Sequence, residues 1–147
     1  LTKGVEGDDF RVRAYVEALR RSSIPVRPEL ICTRTQTVDD ICEEVFRMLV
    51  TSEKDGRPTA LVVGNDYLAA QIMQYLKKLN ISVPGDLSVI GCDNTQIAPL
   101  TTPALTTVDV SKERLAKTYV DKMLALVEGQ QVEDEYMGVK LIIRESA

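Results

Sequence analysis

The sequence contains no histidine among its 147 residues. A Ser-His-Asp relay, a Cys-His pair and a zinc site with histidine ligands are therefore all excluded from this chain. Any proton transfer would have to use carboxylates, lysine, tyrosine or cysteine. This absence points away from the commonest catalytic devices.

Aromatic residues are also scarce, and positive charge is not in excess. Aromatics make up 5% of the chain, and 18 basic against 22 acidic residues give a net charge of -4. The first figure leaves no stacking platform for single-stranded nucleic acid, and the second argues against a grip on phosphate backbones. We expect this chain not to contact DNA directly.

The three cysteines, Cys32, Cys42 and Cys92, form no Cys-x-x-Cys pair, and an odd number fits no complete set of internal disulfides. Each lies in an apolar context, which is typical of buried, reduced thiols. No run approaches the roughly 18 apolar residues of a membrane span, and no signal-peptide pattern opens the sequence. These features favour the cytoplasm.

Apolar residues at helical spacing predict helices over 8–22, behind Thr37, and over 68–79. Thr37 followed by Asp40 predicts an N-cap with an acidic residue at the third helical position. Short apolar runs between these helices predict strands at 29–33, 59–64 and 87–91, the second of them covered on both faces. Such alternation indicates an α/β fold with a doubly wound parallel sheet.

The last third of the chain has a different pattern. Residues 93–104 form a loop with two prolines, and 105–110 predict a strand. Ser111 is the predicted N-cap of a helix that ends at Gly129, and 139–144 predict a final strand. The apolar stripe of that helix consists of Leu115, Tyr119, Val120, Met123 and Val127.

Polar residues follow each of the first three predicted strands. Ligands of open parallel sheets bind beyond the carboxyl ends of the strands, so these residues should lie along one edge. Their amide, carboxylate and guanidinium groups can hydrogen-bond sugar-like hydroxyls as donors and as acceptors. The sequence therefore predicts a site for a small polar ligand, built from Thr33-Arg34-Thr35, Asn65-Asp66 and Asp93-Asn94.

The individual residues differ in how well a structural role explains them. Asp66 precedes a helix, and capping explains it better than ligand contact. Asn65 suits loop hydrogen bonding and ligand contact equally. Asp93 follows a buried strand with no helix directly behind it, so it is the first ligand candidate, whereas Arg34 is interpreted as surface charge.

A catalytic alternative uses the same edge. Asp66 and Asp93 could form an acid/base pair of the glycosidase kind. Their spacing supports this no further than any two carboxylates would, and Gly64 belongs to no glycine-rich phosphate loop. A binding function is therefore favoured over an enzyme, and we expect neither a metal nor a cofactor.

Several motifs together resemble the effector-binding domain of the LacI/GalR family of bacterial transcription regulators. They are NDYLA at 65–69, VPGDLSVIGCDN at 83–94, PALTTV at 103–108 and KLIIRESA at 140–147. Their order matches the family over most of the chain. The resemblance implies a periplasmic-binding-protein-like (type I) fold, in which an effector lies between two α/β lobes.

The resemblance also implies site residues. Asn65 matches the cleft asparagine of the NDxxA motif, and Asp93 matches the cleft aspartate of the G-x-D motif. The arginine of the first helix falls on Arg11, with Arg13 as the alternative because Ala14 replaces the usual glycine. The aromatic that often follows the first strand is absent here, which leaves carbohydrate and nucleobase effectors both open.

The implied organisation places residues 1–104 and 131–147 in the C-terminal lobe. Residues 105–130, a crossover strand and helix, would belong to an N-terminal lobe whose main sheet lies outside this chain, as would the DNA-binding head. We expect the helix at 112–129 to pack on a neighbouring chain unless residues of its own chain have been lost. The implied protein is a homodimer that transmits effector binding to DNA, and a transport-linked sugar-binding protein is the alternative.

Overall fold

The computed structural model describes residues 10–32, 37–51 and 56–147. Within them, four strands form one sheet in the order β1-β2-β3-β4. The first three strands are parallel, and β4 runs antiparallel to β3 because it begins beside Asp109, at the end of β3, and returns along it. The predicted α/β class is confirmed, but the sheet is mixed rather than wholly parallel. The strands are β1 Ala60–Val62, β2 Ser88–Cys92, β3 Thr106–Asp109 and β4 Lys140–Ile142.

The predicted helices are present, and two of them build the core. Helices α2 and α3 cover one face of the sheet, where Ile72, Leu76 and Val89 are almost inaccessible to solvent. Burying a side chain of this size contributes about 1.5–3 kcal/mol, so this layer supplies much of the stability. The helices are α1 Phe10–Arg21, α2 Val38–Thr51, α3 Asp66–Lys78 and α4 Lys112–Val127.

The predicted cap of α2 is confirmed. Thr37 Oγ1 accepts a hydrogen bond from the Asp40 backbone N–H at 3.2 Å, and the Asp40 carboxylate accepts one from the Thr37 N–H at 2.9 Å. Ser111 occupies the predicted N-cap position of α4, but its side chain does not cap the helix. Ser111 has left-handed backbone (φ 50°) and no side-chain capping bond. An N-cap needs extended backbone to aim its hydroxyl at the helix, and Ser111 lacks it.

These two residues therefore form a matched pair. Thr37→Ala is expected to lower the free energy of unfolding by about 1 kcal/mol, because a free N–H at the start of α2 loses its acceptor. Ser111→Ala should change it by less than about 0.5 kcal/mol. Urea unfolding measures both values, and equal losses would contradict the difference in capping.

The strand predicted at 29–33 is wrong for the described part of that segment. Pro28–Leu30 is a 3-10 turn in which the Ile31 N–H donates to the Pro28 carbonyl, while Thr33 lies outside the described residues. Proline is suited to the start of such a turn because it has no N–H to satisfy there. The local turn therefore prevails over the apolar pattern.

Strand β1 is covered on one face only, contrary to the prediction. Leu61 packs against the core, whereas Val62 points to the opposite face and is 64% exposed. Both core helices lie on the Leu61 side, so in the described residues nothing buries Val62.

The strand and the helix expected to leave together for another lobe behave differently. β3 pairs with β2 on one side and with β4 on the other, so the strand predicted within 105–130 belongs to the same sheet as β1, β2 and β4. Those hydrogen bonds on both edges make β3 an interior strand. The division of the chain into lobes stays a prediction. Helix α4 has no buried residue, and its apolar stripe, including Tyr119 and Met123, faces solvent. In the described part of the chain no helix is both long enough and apolar enough to cross a bilayer.

Candidate functional site

Asn65 lies at the carboxyl-end edge of the sheet, between β1 and α3. It is the N-cap of α3, and its side-chain oxygen accepts a hydrogen bond from the Leu68 N–H at 2.9 Å. The residue is exposed, and within the described residues its amide nitrogen has no hydrogen-bond partner. The cap fixes the rotamer and leaves the NH₂ group able to donate to a ligand.

Asp66, by contrast, is not the cap that its position predicts. Its side chain is fully buried, and one carboxylate oxygen accepts hydrogen bonds from the Thr95 N–H at 2.6 Å and the Thr95 hydroxyl at 3.0 Å. The other oxygen accepts from the Thr107 hydroxyl at 2.5 Å. Asp66 therefore joins α3 to the loop after β2 and to β3, and it offers no free carboxylate to a substrate.

Steric contact with Asp66 explains why residue 91 in β2 is a glycine. Gly91 is buried in β2, and a Cβ at this position would overlap Asp66 Oδ1 and come within 2.9 Å of Leu105 Cδ2. Only a residue without a side chain lets the Asp66 carboxylate lie so close to the strand.

Asp93 follows β2 directly and starts a strained turn. Asp93 and Asn94 both have left-handed backbone, with φ of 95° and 42°. The Asp93 N–H donates to the Val108 carbonyl at 2.8 Å, which holds the turn against the end of β3. The residue is half-buried, at the same edge of the sheet as Asn65, because β1 and β2 are parallel neighbours.

Arg11 lies on α1, and its charge acts on the thiol of Cys92, the residue before Asp93. Burial raises the pKa of the Cys92 thiol, the charge of Asp93 and a hydrogen bond with its side chain raise it further, and the charge of Arg11 lowers it. The charges of Arg11 and Asp93 therefore both act on the Cys92 thiol. The choice of Arg11 over Arg13 as a site residue stays a prediction. Arg11 also lies 4.6 Å from the centroid of the Phe10 ring.

The C-terminal segment supplies residues that sequence reasoning did not assign. The Arg144 guanidinium donates to the Asn94 side chain at 2.9 Å and to the Leu105 carbonyl at 2.7 Å. The buried Ser146 hydroxyl accepts from the Thr106 N–H at 2.8 Å and donates to the Val89 carbonyl at 2.6 Å. The Arg-x-Ser ending was the visible signal, and its role is to tie the chain end to the sheet.

We call Asn65, Asp93 and Arg11 the rim. The charges of Asp93 and Arg11 both act on the Cys92 thiol, and Asn65 is linked to the Asp93 loop through the neighbouring Asp66 and Thr95. That the three residues form one ligand site stays a prediction. The first predicted cluster, at 33–35, lies outside the described residues.

The rim coincides with neither of two clefts formed by the described residues. A cleft of about 490 Å³ lies between α2 and α3, and one of about 280 Å³ lies on α4, but neither is lined by a rim residue. Within the described ranges, no cluster of acidic and cysteine side chains could hold a metal ion.

Comparison with known proteins places this geometry in a family. Residues 2–147 match the model of a periplasmic binding protein-like domain. The chain is 34% identical over 141 residues to the NTD biosynthesis operon regulator NtdR of Bacillus subtilis, a match that covers 92% of this chain and 41% of that protein. It is 30% identical over 149 residues to the arabinose metabolism transcriptional repressor of Geobacillus stearothermophilus, covering 99% and 41%.

A comparison with solved structures also finds transcriptional regulators. A sugar-binding transcriptional regulator of the LacI family from Escherichia coli, complexed with phosphate, matches with a TM-score of 0.75 at 29% identity. The match covers 93% of this chain and 49% of that one, so the chain spans about half of that structure and about two fifths of the two curated relatives.

The model of the periplasmic binding protein-like domain matches almost the whole chain, and this chain belongs to that family. Within the family, the relatives it matches are LacI-type transcriptional regulators, which confirms the resemblance seen in the sequence. These relatives are regulators and not enzymes, and they favour a regulator over a transport-linked binding protein.

Proposed function

We propose that this chain is the effector-sensing part of a LacI-type transcriptional regulator, and that it couples the binding of a small carbohydrate to operator affinity. The observation that carries the proposal is that the Asn65 amide and the Asp93 carboxylate lie at one edge of the sheet, where parallel strands β1 and β2 end. The Arg11 guanidinium, whose charge acts on the adjacent Cys92, is proposed as the third group. The names of two relatives, an arabinose metabolism repressor and a sugar-binding regulator, support a carbohydrate.

The chemistry of the rim fits neighbouring sugar hydroxyls. The Asp93 carboxylate accepts from hydroxyl protons, while the Asn65 NH₂ group and the Arg11 guanidinium donate to hydroxyl oxygens. A hydrogen bond to a charged group is worth about 1.5–3 kcal/mol, so Asp93 and Arg11 should each contribute more to the affinity than the neutral Asn65 amide. A nucleobase, which also combines donors and acceptors, is the other ligand class that this set accepts.

The rim lies at one edge of the sheet, so a ligand bound there needs protein on its other side to be enclosed. We propose that the part of the full-length protein outside this chain supplies a second lobe, and that α4, with its exposed Tyr119, Val120 and Met123, packs against it. The division into lobes then assigns β3 to the sheet of β1, β2 and β4, and only the helix to the other lobe. The DNA-binding head lies outside this chain in the same scheme.

The mechanism follows from two lobes around one ligand. An effector that contacts both lobes binds one arrangement of them more tightly, and it shifts the population towards that arrangement by its difference in affinity. We propose that the regulator is a cytoplasmic homodimer that passes this shift to its DNA-binding heads. Light scattering of the full-length protein, with and without effector, measures the dimer, and a monomer at micromolar concentration contradicts it.

The glycosidase alternative fails on one observation. It required Asp66 and Asp93 as an acid/base pair, and the Asp66 carboxylate is fully buried with both oxygens occupied by threonine donors. We therefore propose a binding protein without catalytic activity.

The test is a thermal-shift screen of pentoses, hexoses, disaccharides and purines on the full-length protein, since a ligand of the folded state raises its melting temperature. For any compound that binds, Asp93→Ala is expected to weaken affinity by about 10- to 100-fold, through the loss of hydrogen bonds to a charged group. Isothermal titration measures the change.

The matched control is Asp86→Asn, an exposed acid just before β2, at the opposite edge of the sheet. It should leave affinity unchanged. If Asp93→Ala also binds as tightly as the unmodified protein, Asp93 is not an effector ligand.

A further inference from the structure

The loop that carries Asp93 needs support from outside itself. Asp93 and Asn94 are consecutive non-glycine residues with positive φ, a backbone conformation that L-residues adopt reluctantly. Such a turn persists only where neighbouring contacts hold it. The contacts that hold this one therefore decide where the Asp93 carboxylate lies.

Two side chains clamp the loop from opposite directions. Asp66 accepts hydrogen bonds from Thr95 on the α3 side. On the other side, Arg144 donates to the Asn94 side-chain oxygen at 2.9 Å across 50 positions of sequence.

Arg144 is itself held at two further points. Its other terminal nitrogen donates to the Leu105 carbonyl at 2.7 Å, and its backbone N–H donates to Thr106 Oγ1 at 2.9 Å. The side chain is half-buried at the end of β4. A planar guanidinium anchored in this way fixes the direction of the donor that reaches Asn94.

We propose that Arg144 is a positioning residue, which holds the Asp93–Asn94 turn in its left-handed conformation and so sets the affinity for the effector. The consequence for affinity rests on the proposed function, but the positioning itself does not. β4 follows α4 in the chain. The hydrogen bond from Arg144 to Asn94 therefore connects the loop that carries Asp93 to the helix that we assign to the second lobe. A movement of β4 would thereby change the position of Asp93.

The Cys92 thiol reports the position of Asp93 without any effector. Burial raises the pKa of this thiol most, and the Asp93 carboxylate raises it further by its charge and a side-chain hydrogen bond. The charge of Arg11 and a hydrogen bond with the Asp93 backbone lower it by less. If the turn relaxes and the carboxylate moves away, the pKa of Cys92 falls and the thiolate fraction near pH 8 increases. Cys42, on the buried face of α2, is an internal control for global opening.

The experiment is alkylation of the native protein by iodoacetamide from pH 6.5 to 9.5, with each cysteine followed by peptide mass spectrometry. Arg144→Met is expected to raise the Cys92 rate at pH 8 by about three- to tenfold and to leave the Cys42 rate unchanged. Asp93→Asn should give a similar increase. Arg114→Met, which removes an exposed arginine from α4, should change neither rate.

An unchanged Cys92 rate in Arg144→Met overturns the proposal, and so does an equal rise at Cys42, because that result reports global unfolding. If Arg144→Met does not fold, Arg144→Lys serves instead, because it keeps the charge but cannot make both guanidinium hydrogen bonds. It should raise the Cys92 rate in the same way. A local rise at Cys92 combined with unaltered sugar binding by Asp93→Ala refutes the proposed function and leaves the positioning role standing.

Discussion

Gly91→Ala is expected to lower the free energy of unfolding by about 3 kcal/mol, the upper part of the range for overpacked cores. The added Cβ would overlap the Asp66 carboxylate and press on the Leu105 side chain. Asp66 cannot move aside easily, because three hydrogen bonds hold its two oxygens. The strand or the carboxylate must therefore shift, and each shift breaks buried contacts.

Gly64→Ala is the matched control for this substitution. Gly64 follows β1, a Cβ added to it would meet no atom within 4 Å, and its φ is not positive. Alanine there should be neutral or should stabilise by up to about 1 kcal/mol through the unfolded chain. Chemical unfolding of the two variants side by side measures the contrast, and midpoints that agree would contradict the close approach at Gly91.

Asp66→Ala is the second substitution with a large expected effect. It should lower the free energy of unfolding by about 4 kcal/mol. It leaves the Thr95 N–H and the hydroxyls of Thr95 and Thr107 without their charged acceptor in a buried place, and each unsatisfied donor costs about 1–3 kcal/mol. Asp66→Asn keeps the shape of the side chain and one acceptor oxygen. Its loss in free energy of unfolding should therefore be roughly half that of Asp66→Ala.

An exposed acid provides the comparison for Asp66. Asp121 on α4 pairs with Lys117 at the surface, and Asp121→Ala should cost less than about 1 kcal/mol, as exposed ion pairs do. Thermal and urea unfolding report all three variants. A loss at Asp66 no larger than that at Asp121 would show that the buried network adds nothing.

The helices could be predicted from the sequence because their signals are local. Apolar spacing and the Thr37–Asp40 pair act within a few residues, and the structure confirms both. The two neighbours Asn65 and Asp66 show the limit of such reasoning. Either side chain can cap a helix, and Asn65 is the cap because Thr95 and Thr107, distant in sequence, bind Asp66.

The candidate site was predictable in part. Asp93 and Asn65 follow strands, so the topological rule for parallel sheets is enough to place them at one edge. Their role as ligands stays a prediction. The clamp by Arg144 was not predictable, because a hydrogen bond across 50 positions leaves no periodic trace in the sequence.

By itself, the sequence determined the α/β class, the positions of the helices and the absence of histidine chemistry, since these depend on residue type and on short-range spacing. Only the tertiary structure decided that β4 runs antiparallel, that β1 is bare on one face and that Asp66 is buried. These features depend on which distant segments meet, and the energies of such meetings come from burial and from hydrogen bonds between residues far apart in the chain.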